Sequence, residues 1–448
     1  MAVAAHLRVC ILACGILSGA AQAQDLLQTW NQALAREPQF GAAQAARQAD
    51  QERIPQSRAQ LLPQITATGT AELQERRQTS RLSTRHSSDR ALWSLSLSQP
   101  IYNRSAWAQY ERAQLLAQGA DVQLALERQA LMLRVSQGYF DILAAQDALA
   151  TLKAEQAAID EQLRAADQNF QLGGTTITDT YEARSRLDLT RAKVLQAENT
   201  LQVAQDKLAA LTLERPAKLA RLRNPLRLPA PQPARLQDWL DQSSQSGLSV
   251  ALADLNSRAM QEQLNSTQAQ HQPTLALKAQ TGSGSDQTLF GQSGGGPRSL
   301  NSAIGLELSI PIFRGGETSS QVREQTSRLQ EARYQLQLAQ QQAIQQTRQY
   351  FSGVTSGLSR VQILEAAEKS SLDSVKANKL AYEIGVRVNI DVLNAQQQLY
   401  ETQRNLSQAR YDVLMNSLRL KAASGTLDES DLRAVNQLLE PSANANGS

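Results

Sequence analysis

The sequence predicts an α+β chain built from two repeats, each with a pair of short strands followed by very long helices. Three observations lead to this prediction. Proline is absent from residues 101–215 and from residues 312–440, so nothing interrupts a long helix in either stretch. Alternating apolar and polar residues precede each stretch, as in strands with one apolar face. The same residue patterns occur in both halves at a nearly constant spacing.

The N-terminus has the features of an export signal. His6 and Arg8 form a short basic region, residues 9–17 are apolar, and Ala21-Gln22-Ala23 matches a cleavage site. We therefore expect residues 1–23 to be a signal peptide. Its apolar run is too short to cross a bilayer of about 30 Å as a helix. Cys14 lies in a loose lipid-attachment pattern, so a lipid-anchored mature chain is the alternative.

Composition argues against several classes of function. The chain has 45 Lys and Arg against 42 Asp and Glu, so its bulk charge does not favour nucleic-acid binding. Both cysteines lie within the first 14 residues. The three histidines, His6, His86 and His271, have no partner at metal-ligand spacing. We therefore expect no catalytic residues, no metal and no cofactor, and the chain is not predicted to be an enzyme.

The two halves of the chain match each other. Tyr139-Phe140 corresponds to Tyr350-Phe351 at an offset of 211 residues, and Gln99-Pro100 corresponds to Ile310-Pro311 at the same offset. Repeat 1 is placed at residues 24–235, and its end is a proline-rich linker. Repeat 2 is placed at residues 236–440, and residues 441–448 are expected to be a disordered tail.

Each repeat is predicted to contain one long and one shorter helix. The long helices span residues 103–172 and 314–384, each about 105 Å in length at the α-helical rise. The shorter helices span residues 176–214 and 388–424. Heptad spacing in the long helices is typical of a coiled coil, and an ordinary long bundle is the alternative. The heptad residues are Leu126, Leu133 and Phe140, and then Val322, Leu329, Leu336, Ala343 and Tyr350.

Four strands are expected, at about residues 62–73, 91–101, 273–281 and 302–313. Their length and alternation are typical of transmembrane strands, which face lipid on one side and a lumen on the other. An open strand edge is costly in hydrocarbon, so four spanning strands would require a dimer or a trimer to close a barrel. A soluble, half-buried sheet is the alternative.

The segments between paired strands, residues 74–90 and 282–299, are predicted to be surface loops because they are polar or rich in Gly and Ser. The first is basic, and we favour a solvated loop over contact with anionic lipopolysaccharide. Its basic residues are Arg76, Arg77, Arg81, Arg85, His86 and Arg90.

Motifs spread over nearly the whole mature chain resemble the TolC family of outer-membrane channel proteins. Their order, spacing and twofold repetition carry the resemblance, and no single motif does. The motifs are Leu61-Leu62-Pro63-Gln64, Leu97-Ser98-Gln99-Pro100-Ile101-Tyr102, Leu308-Ser309-Ile310-Pro311-Ile312-Phe313, Gly385-Val386-Arg387, Ile390-Asp391-Val392-Leu393 and Ser424-Gly425-Thr426-Leu427.

The resemblance implies an α+β membrane protein that works as a homotrimer. Four strands per chain would form a twelve-stranded β-barrel in outer-membrane lipid, continuous with a long α-helical barrel in the periplasm. Such a channel would be a passive exit duct for type I protein secretion, drug efflux or both. Its partners would be a periplasmic adaptor (membrane fusion protein) and an inner-membrane ABC or proton-driven pump, with no nucleic acid. An exported coiled-coil scaffold or adhesin without a pore is the alternative from another class.

Helix capping by itself would account for several residues at the two helix–turn–helix tips. Gly173 and Gly385 stand where a long helix ends, and glycine adopts the left-handed conformation at little cost. Asp179 and Asp391 stand near the start of the next helix, where a carboxylate interacts favourably with free N–H groups. Capping alone would therefore explain these four residues, and a functional role is the alternative.

The resemblance implies further roles at the same tips. Thr178 and Asp179 would bond Tyr382 and Arg387 across neighbouring hairpins and hold the periplasmic entrance closed. Gly173 and Gly385 would lie in adaptor-docking grooves. Asp391 and Asn394 match a pore-constricting pattern that has aspartate at both positions. With Asn394 in place of one carboxylate, weaker cation selectivity and weaker cation block are expected.

Overall fold

The computed structural model describes residues 23–78, 84–216, 218–223, 225–283 and 300–440, and residues 72–91 are described by their backbone alone. Three predictions therefore lie outside the described residues. They are the signal peptide as far as residue 22 with Cys14, the Gly- and Ser-rich segment from residue 284 to residue 299, and the disordered tail at 441–448.

Helices make up most of the described chain, and they repeat in order. Repeat 1 has α1 (Leu26–Arg36), α2 (Pro38–Gln51), α3 (Arg53–Ala59), α4 (Arg104–Gln171) and α5 (Ile177–Thr212). Repeat 2 has α6 (Leu236–Ser246), α7 (Leu248–Gln268), α8 (Glu317–Glu383) and α9 (Asn389–Ala423), followed by α10 (Glu429–Asn436). The four helices after the strands begin and end within three residues of the predicted bounds.

None of the described helices combines the length and the apolar character that a membrane-crossing helix needs.

Four antiparallel strands form one sheet in the order β1-β2-β3-β4. They are β1 (Gln64–Gln78), β2 (Thr84–Tyr102), β3 (Thr274–Ser283) and β4 (Leu300–Ser309). Each repeat supplies one hairpin, and the hairpins join where β2 pairs with β3, for example at Leu97 and Ala279. Among the described strands, β1 and β4 each pair on one side only, so both edges of the sheet are open.

The strand bounds differ from prediction in two places. The first hairpin extends through most of the predicted loop at 74–90, because β1 continues to Gln78 and β2 begins at Thr84. Backbone pairing does not require apolar side chains, and the polarity of this segment therefore misled the prediction. Conversely, β4 ends at Ser309 instead of residue 313, and Pro311, which has no N–H to donate, lies beyond it.

The register places the apolar residues of all four strands on one face of the sheet. Leu306 pairs with Leu277, and Leu97 pairs with Ile65 and Ala279, so these side chains share that face. On β4 the face is fully open, because Ile304 is 73% exposed and Leu306 is 61% exposed. The opposite face carries polar groups, including the ion pair of Lys278 and Glu307 at 2.6 Å.

The main core lies near the middle of α4, far from both the sheet and the helix tips. Tyr139 and Phe140 are fully buried there, with Trp30 and Leu418 from other helices. The Tyr139 hydroxyl donates to the backbone oxygen of Ala220 at 2.8 Å. Residues 218–223 also bond to the N-terminal segment and to the end of the described chain, so this core ties the repeats together.

The heptad residues are only partly buried. Leu329, Ala343 and Phe140 are buried, whereas Val322, Leu336, Tyr350, Leu126 and Leu133 are half-buried. Exposed apolar residues along α8, such as Tyr334 at 62% and Ile363 at 68%, leave part of this helix surface without cover from its own chain.

Candidate functional site

Both helix–turn–helix tips use the same backbone device. Gly173 and Gly385 have φ of 74° and 76°, the left-handed region in which glycine avoids a side-chain clash. The N–H of Gly174 bonds the oxygen of Asn169 at 2.8 Å, and the N–H of Val386 bonds the oxygen of Ala381 at 2.8 Å. These are the bonds of a Schellman motif, which ends α4 and α8 in the same way.

The two predicted aspartates also occupy matching places. Asp179 and Asp391 are each the third residue of the helix that follows the turn, and each is acidic in its first turn. Their N–H groups bond the oxygens of Thr176 and Val388 at 3.2 and 3.1 Å. Their carboxylates therefore lie near free helical N–H groups and the positive end of the dipole.

The tips present apolar side chains to solvent. Leu172 is 84% exposed beside Gly173, and Ile384 and Val386 are 67% and 72% exposed beside Gly385. A Cβ added at either glycine would meet no atom within 4 Å, so the surface there is open. Each tip is therefore a small open surface with an apolar rim, and the chain itself leaves it uncovered.

A buried asparagine joins the two hairpins of the chain. The Asn389 side-chain oxygen accepts from Gln162 Nε2 at 2.6 Å, and its Nδ2 donates to the backbone oxygen of Asp179 at 3.2 Å. Asn389 is 0% exposed and Gln162 is 6% exposed. Nearer the tip, Asn169 Nδ2 donates to the Tyr382 hydroxyl at 3.3 Å.

Two of the four predicted closing residues have other partners within this chain. Arg387 Nη1 pairs with Asp391 Oδ2 at 3.3 Å, one turn along the same segment, and Tyr382 bonds Asn169. Among the described residues, no bond joins Thr178 or the Asp179 carboxylate to Tyr382 or Arg387. Within one chain, Arg387 is thus paired with the carboxylate of Asp391 on its own hairpin. Between hairpins of different copies the expected pairing stays a prediction.

The two predicted constriction residues lie on α9 in different settings. The Asp391 side chain is 31% exposed and is paired with Arg387. Asn394 is exposed, and its side-chain oxygen accepts from Arg186 Nη2 at 2.6 Å. Arg186 Nη1 also donates to the side-chain oxygen of Gln397. A small apolar cluster of Leu187, Leu393, Ile159 and Ala183 packs α5 against α9 beside these polar contacts.

Sequence reasoning missed Arg186, Asn389 and Gln162. Each is a single polar residue in a polar helix, and no spacing pattern distinguishes it from its neighbours. Their importance depends on contacts between residues more than 200 positions apart.

Within the described part of the chain, no group of three or more His, Cys, Asp or Glu side chains is arranged to hold a metal ion.

Comparison with known proteins gives consistent matches. A family model described as "Outer membrane efflux protein" matches residues 29–212 and 239–426. Outer membrane protein TolC of Vibrio cholerae is 31% identical over 425 residues, 95% of this chain and 96% of that protein. Alkaline protease secretion protein AprF of Pseudomonas aeruginosa is 30% identical, covering 92% of this chain and 87% of that protein. The crystal structure of VceC from Vibrio cholerae has the same fold, with a TM-score of 0.77 at 20% identity over 89% of this chain and 96% of that chain.

Proposed function

This chain belongs to the outer membrane efflux protein family, and from that premise we propose that it forms the passive exit duct of a tripartite export machine. The family match includes both repeats and confirms the resemblance found in the motifs. The protein is an outer-membrane channel protein of the secretion and efflux class, to which its relatives TolC and AprF belong.

The sheet is the observation on which the duct proposal depends. Its apolar face is open and both of its edges are unpaired among the described strands. Lipid hydrocarbon can cover the apolar face, but each unpaired backbone group at a sheet edge within the hydrocarbon costs several kcal/mol. Copies of the chain supply the missing partners when β1 of one pairs with β4 of the next. Three copies of a four-stranded sheet give a closed barrel of twelve strands.

The helices support a duct that continues below the barrel. α4 has 68 residues and therefore spans about 100 Å. The tips of both hairpins lie at the end of the helices away from the sheet, which is the periplasmic end of the proposed duct. An adaptor reaching this end meets open glycine turns with exposed Leu172 and Val386 beside them. We assign adaptor docking to Gly173 and Gly385 on this basis.

The energy for export comes from a partner in this proposal. The adaptor connects the duct to an inner-membrane ABC or proton-driven pump, and the duct itself contributes only a route. Asp391 and Asn394 narrow that route at its periplasmic end. Thr178 and Asp179 of one copy bond Tyr382 and Arg387 of the next and hold the entrance closed. Charge-assisted bonds of this kind are worth about 1.5–3 kcal/mol each when sheltered.

The test combines mass and conductance. Protein extracted in detergent is expected to have about three times the mass of one chain and to form ion-conducting pores in planar bilayers. Ile304→Lys places a charge on the apolar face and should impair insertion, at about 2–4 kcal/mol per mid-membrane charge. The control Ala303→Lys changes the next residue, on the opposite face, and should be tolerated. A monomer that conducts no ions would overturn the proposal.

A further inference from the structure

Arg186 links the two hairpins of the chain at the level of the proposed constriction. It lies on α5 and is half-buried. Its Nη2 donates to Asn394 Oδ1 at 2.6 Å, and its Nη1 donates to Gln397 Oε1. Both acceptors are on α9, one turn apart. The two ends of the guanidinium group therefore hold two side chains of a different helix, in the fork geometry that arginine supplies.

Both acceptors are neutral, so neither of them cancels the positive charge of Arg186. Among the described residues, no carboxylate forms an ion pair with Arg186. Glu182, one turn earlier on α5, does not pair with it, and Asp391 is paired with Arg387 instead. Arginine keeps its charge at every physiological pH. A full positive charge consequently lies in direct contact with Asn394.

We propose that Arg186 sets the ion selectivity of the periplasmic entrance by placing a positive charge beside the constriction. This inference rests on the proposed function, in which Asp391 and Asn394 narrow the pore. Because Arg186 is hydrogen-bonded to Asn394, its charge lies beside the constriction if Asn394 lines the pore. In a trimer, three Arg186 charges oppose the three Asp391 charges. The amide at Asn394 is thus only part of the reason for weak cation selectivity.

The expected size of the effect follows from Coulomb's law. A unit charge about 6 Å from a permeating ion in a water-like medium changes the ion's local concentration about threefold. Salt at about 0.1 M screens over about 10 Å and reduces this only in part. Removing the Arg186 charge should therefore raise the K⁺ to Cl⁻ permeability ratio by at least about twofold.

The experiment measures reversal potentials of single channels in a KCl gradient. Arg186→Gln is expected to raise the K⁺ to Cl⁻ permeability ratio, whereas Arg186→Lys keeps the charge and should leave the ratio near that of the unmodified protein. Arg184→Gln is the matched control. It removes the same charge two residues away on α5, where the side chain points to a different side of the helix. It should change the ratio little.

Two further outcomes separate this inference from the duct itself. A conducting Arg186→Gln channel with unchanged selectivity would overturn the role of Arg186 and leave the duct intact. Absence of conductance in the unmodified protein would overturn the duct.

Should Arg186→Gln fail to assemble, block by lanthanum(III) gives a readout without a change at residue 186. Block should be weak in the unmodified pore and stronger in Asn394→Asp. Strong block of the unmodified pore contradicts the inference.

Discussion

Gln162 and Asn389 are hydrogen-bonded to each other at 2.6 Å inside a contact from which solvent is excluded, although 227 positions separate them in the chain. Gln162 lies on α4 and Asn389 begins α9, so the bond joins the α4–α5 hairpin to the α8–α9 hairpin near their tips. The second bond of Asn389, to the backbone of Asp179, brings in α5 as well. One side chain therefore connects three helices near the helix tips.

Asn389→Ala should loosen this junction. It leaves the buried amide of Gln162 without a partner, which costs about 1–3 kcal/mol. We expect a lower unfolding midpoint in denaturant and a higher single-channel conductance. Asn378→Ala is the control, because the Asn378 side chain donates to Ser374, one turn earlier in its own helix. The double variant Gln162→Ala/Asn389→Ala should lose less unfolding free energy than the sum of the losses of the two single variants. Fully additive costs would show that the two residues act independently.

Replacing the proposed closing residues should open the entrance. Tyr382→Phe removes one hydroxyl, and Arg387→Gln removes one charge. Each should weaken the bonds proposed between hairpins of neighbouring copies and so raise single-channel conductance. Tyr334→Phe removes a hydroxyl from the same helix at a side chain that is 62% exposed and lies far from the tip, and it should have no effect. The closing role is rejected when both tip variants conduct like the unmodified protein.

The buried ion pair of Glu155 and Arg404 should matter far more than a surface pair. Their atoms lie 2.7 Å apart and the Glu155 side chain is 2% exposed. Arg404→Met leaves a buried carboxylate unpaired, with an expected loss of about 3–5 kcal/mol in the unfolding free energy.

The control for that change is Lys153→Met. It breaks the pair of Lys153 and Glu198, whose side chains are 55% and 45% exposed, and should cost no more than about 1 kcal/mol. Adding Glu155→Leu to Arg404→Met should restore much of the stability. Equal losses for the buried and the surface pair, measured by denaturant unfolding, would contradict the assigned burial cost.

Asp147 should make the stability of the central core depend on pH. Burial raises the pKa of Asp147 above its ordinary value of 3.8, and the Tyr411 hydrogen bond and the charges of Arg221 and Arg410 lower it only in part. The folded chain then binds this proton more tightly than the unfolded chain. The contribution of Asp147 to the unfolding free energy should therefore fall as pH rises from 3.8 through the folded pKa.

The measurement compares denaturant unfolding of the unmodified protein and Asp147→Asn across the acidic range. The unfolding free energy of the unmodified protein minus that of Asp147→Asn should fall as pH rises from 3.8 and become constant above the folded pKa. Tyr411→Phe removes the hydroxyl that donates to Asp147 at 2.8 Å, so it should move the change to higher pH. A difference that does not vary with pH would show that Asp147 titrates alike in both states.

Local physics made much of the architecture predictable. Missing prolines allowed α4 and α8, and glycine at residues 173 and 385 marked where these helices end, because backbone conformation depends on neighbouring residues. Strand ends were less predictable. At residues 74–78 and 84–90 the strands continue to pair through polar sequence, and β4 ends at Ser309, before Pro311, within an apolar run.

The sequence by itself determined the repeats, the long helices, the two glycine turns and the single apolar face of the sheet, since each follows from spacing along one segment. Only the tertiary structure decided which side chains meet at the tips. Asn389 pairs with Gln162, and Arg186 pairs with Asn394. Both pairings depend on the rotation and axial register of helices against each other, and no local pattern of residues encodes these.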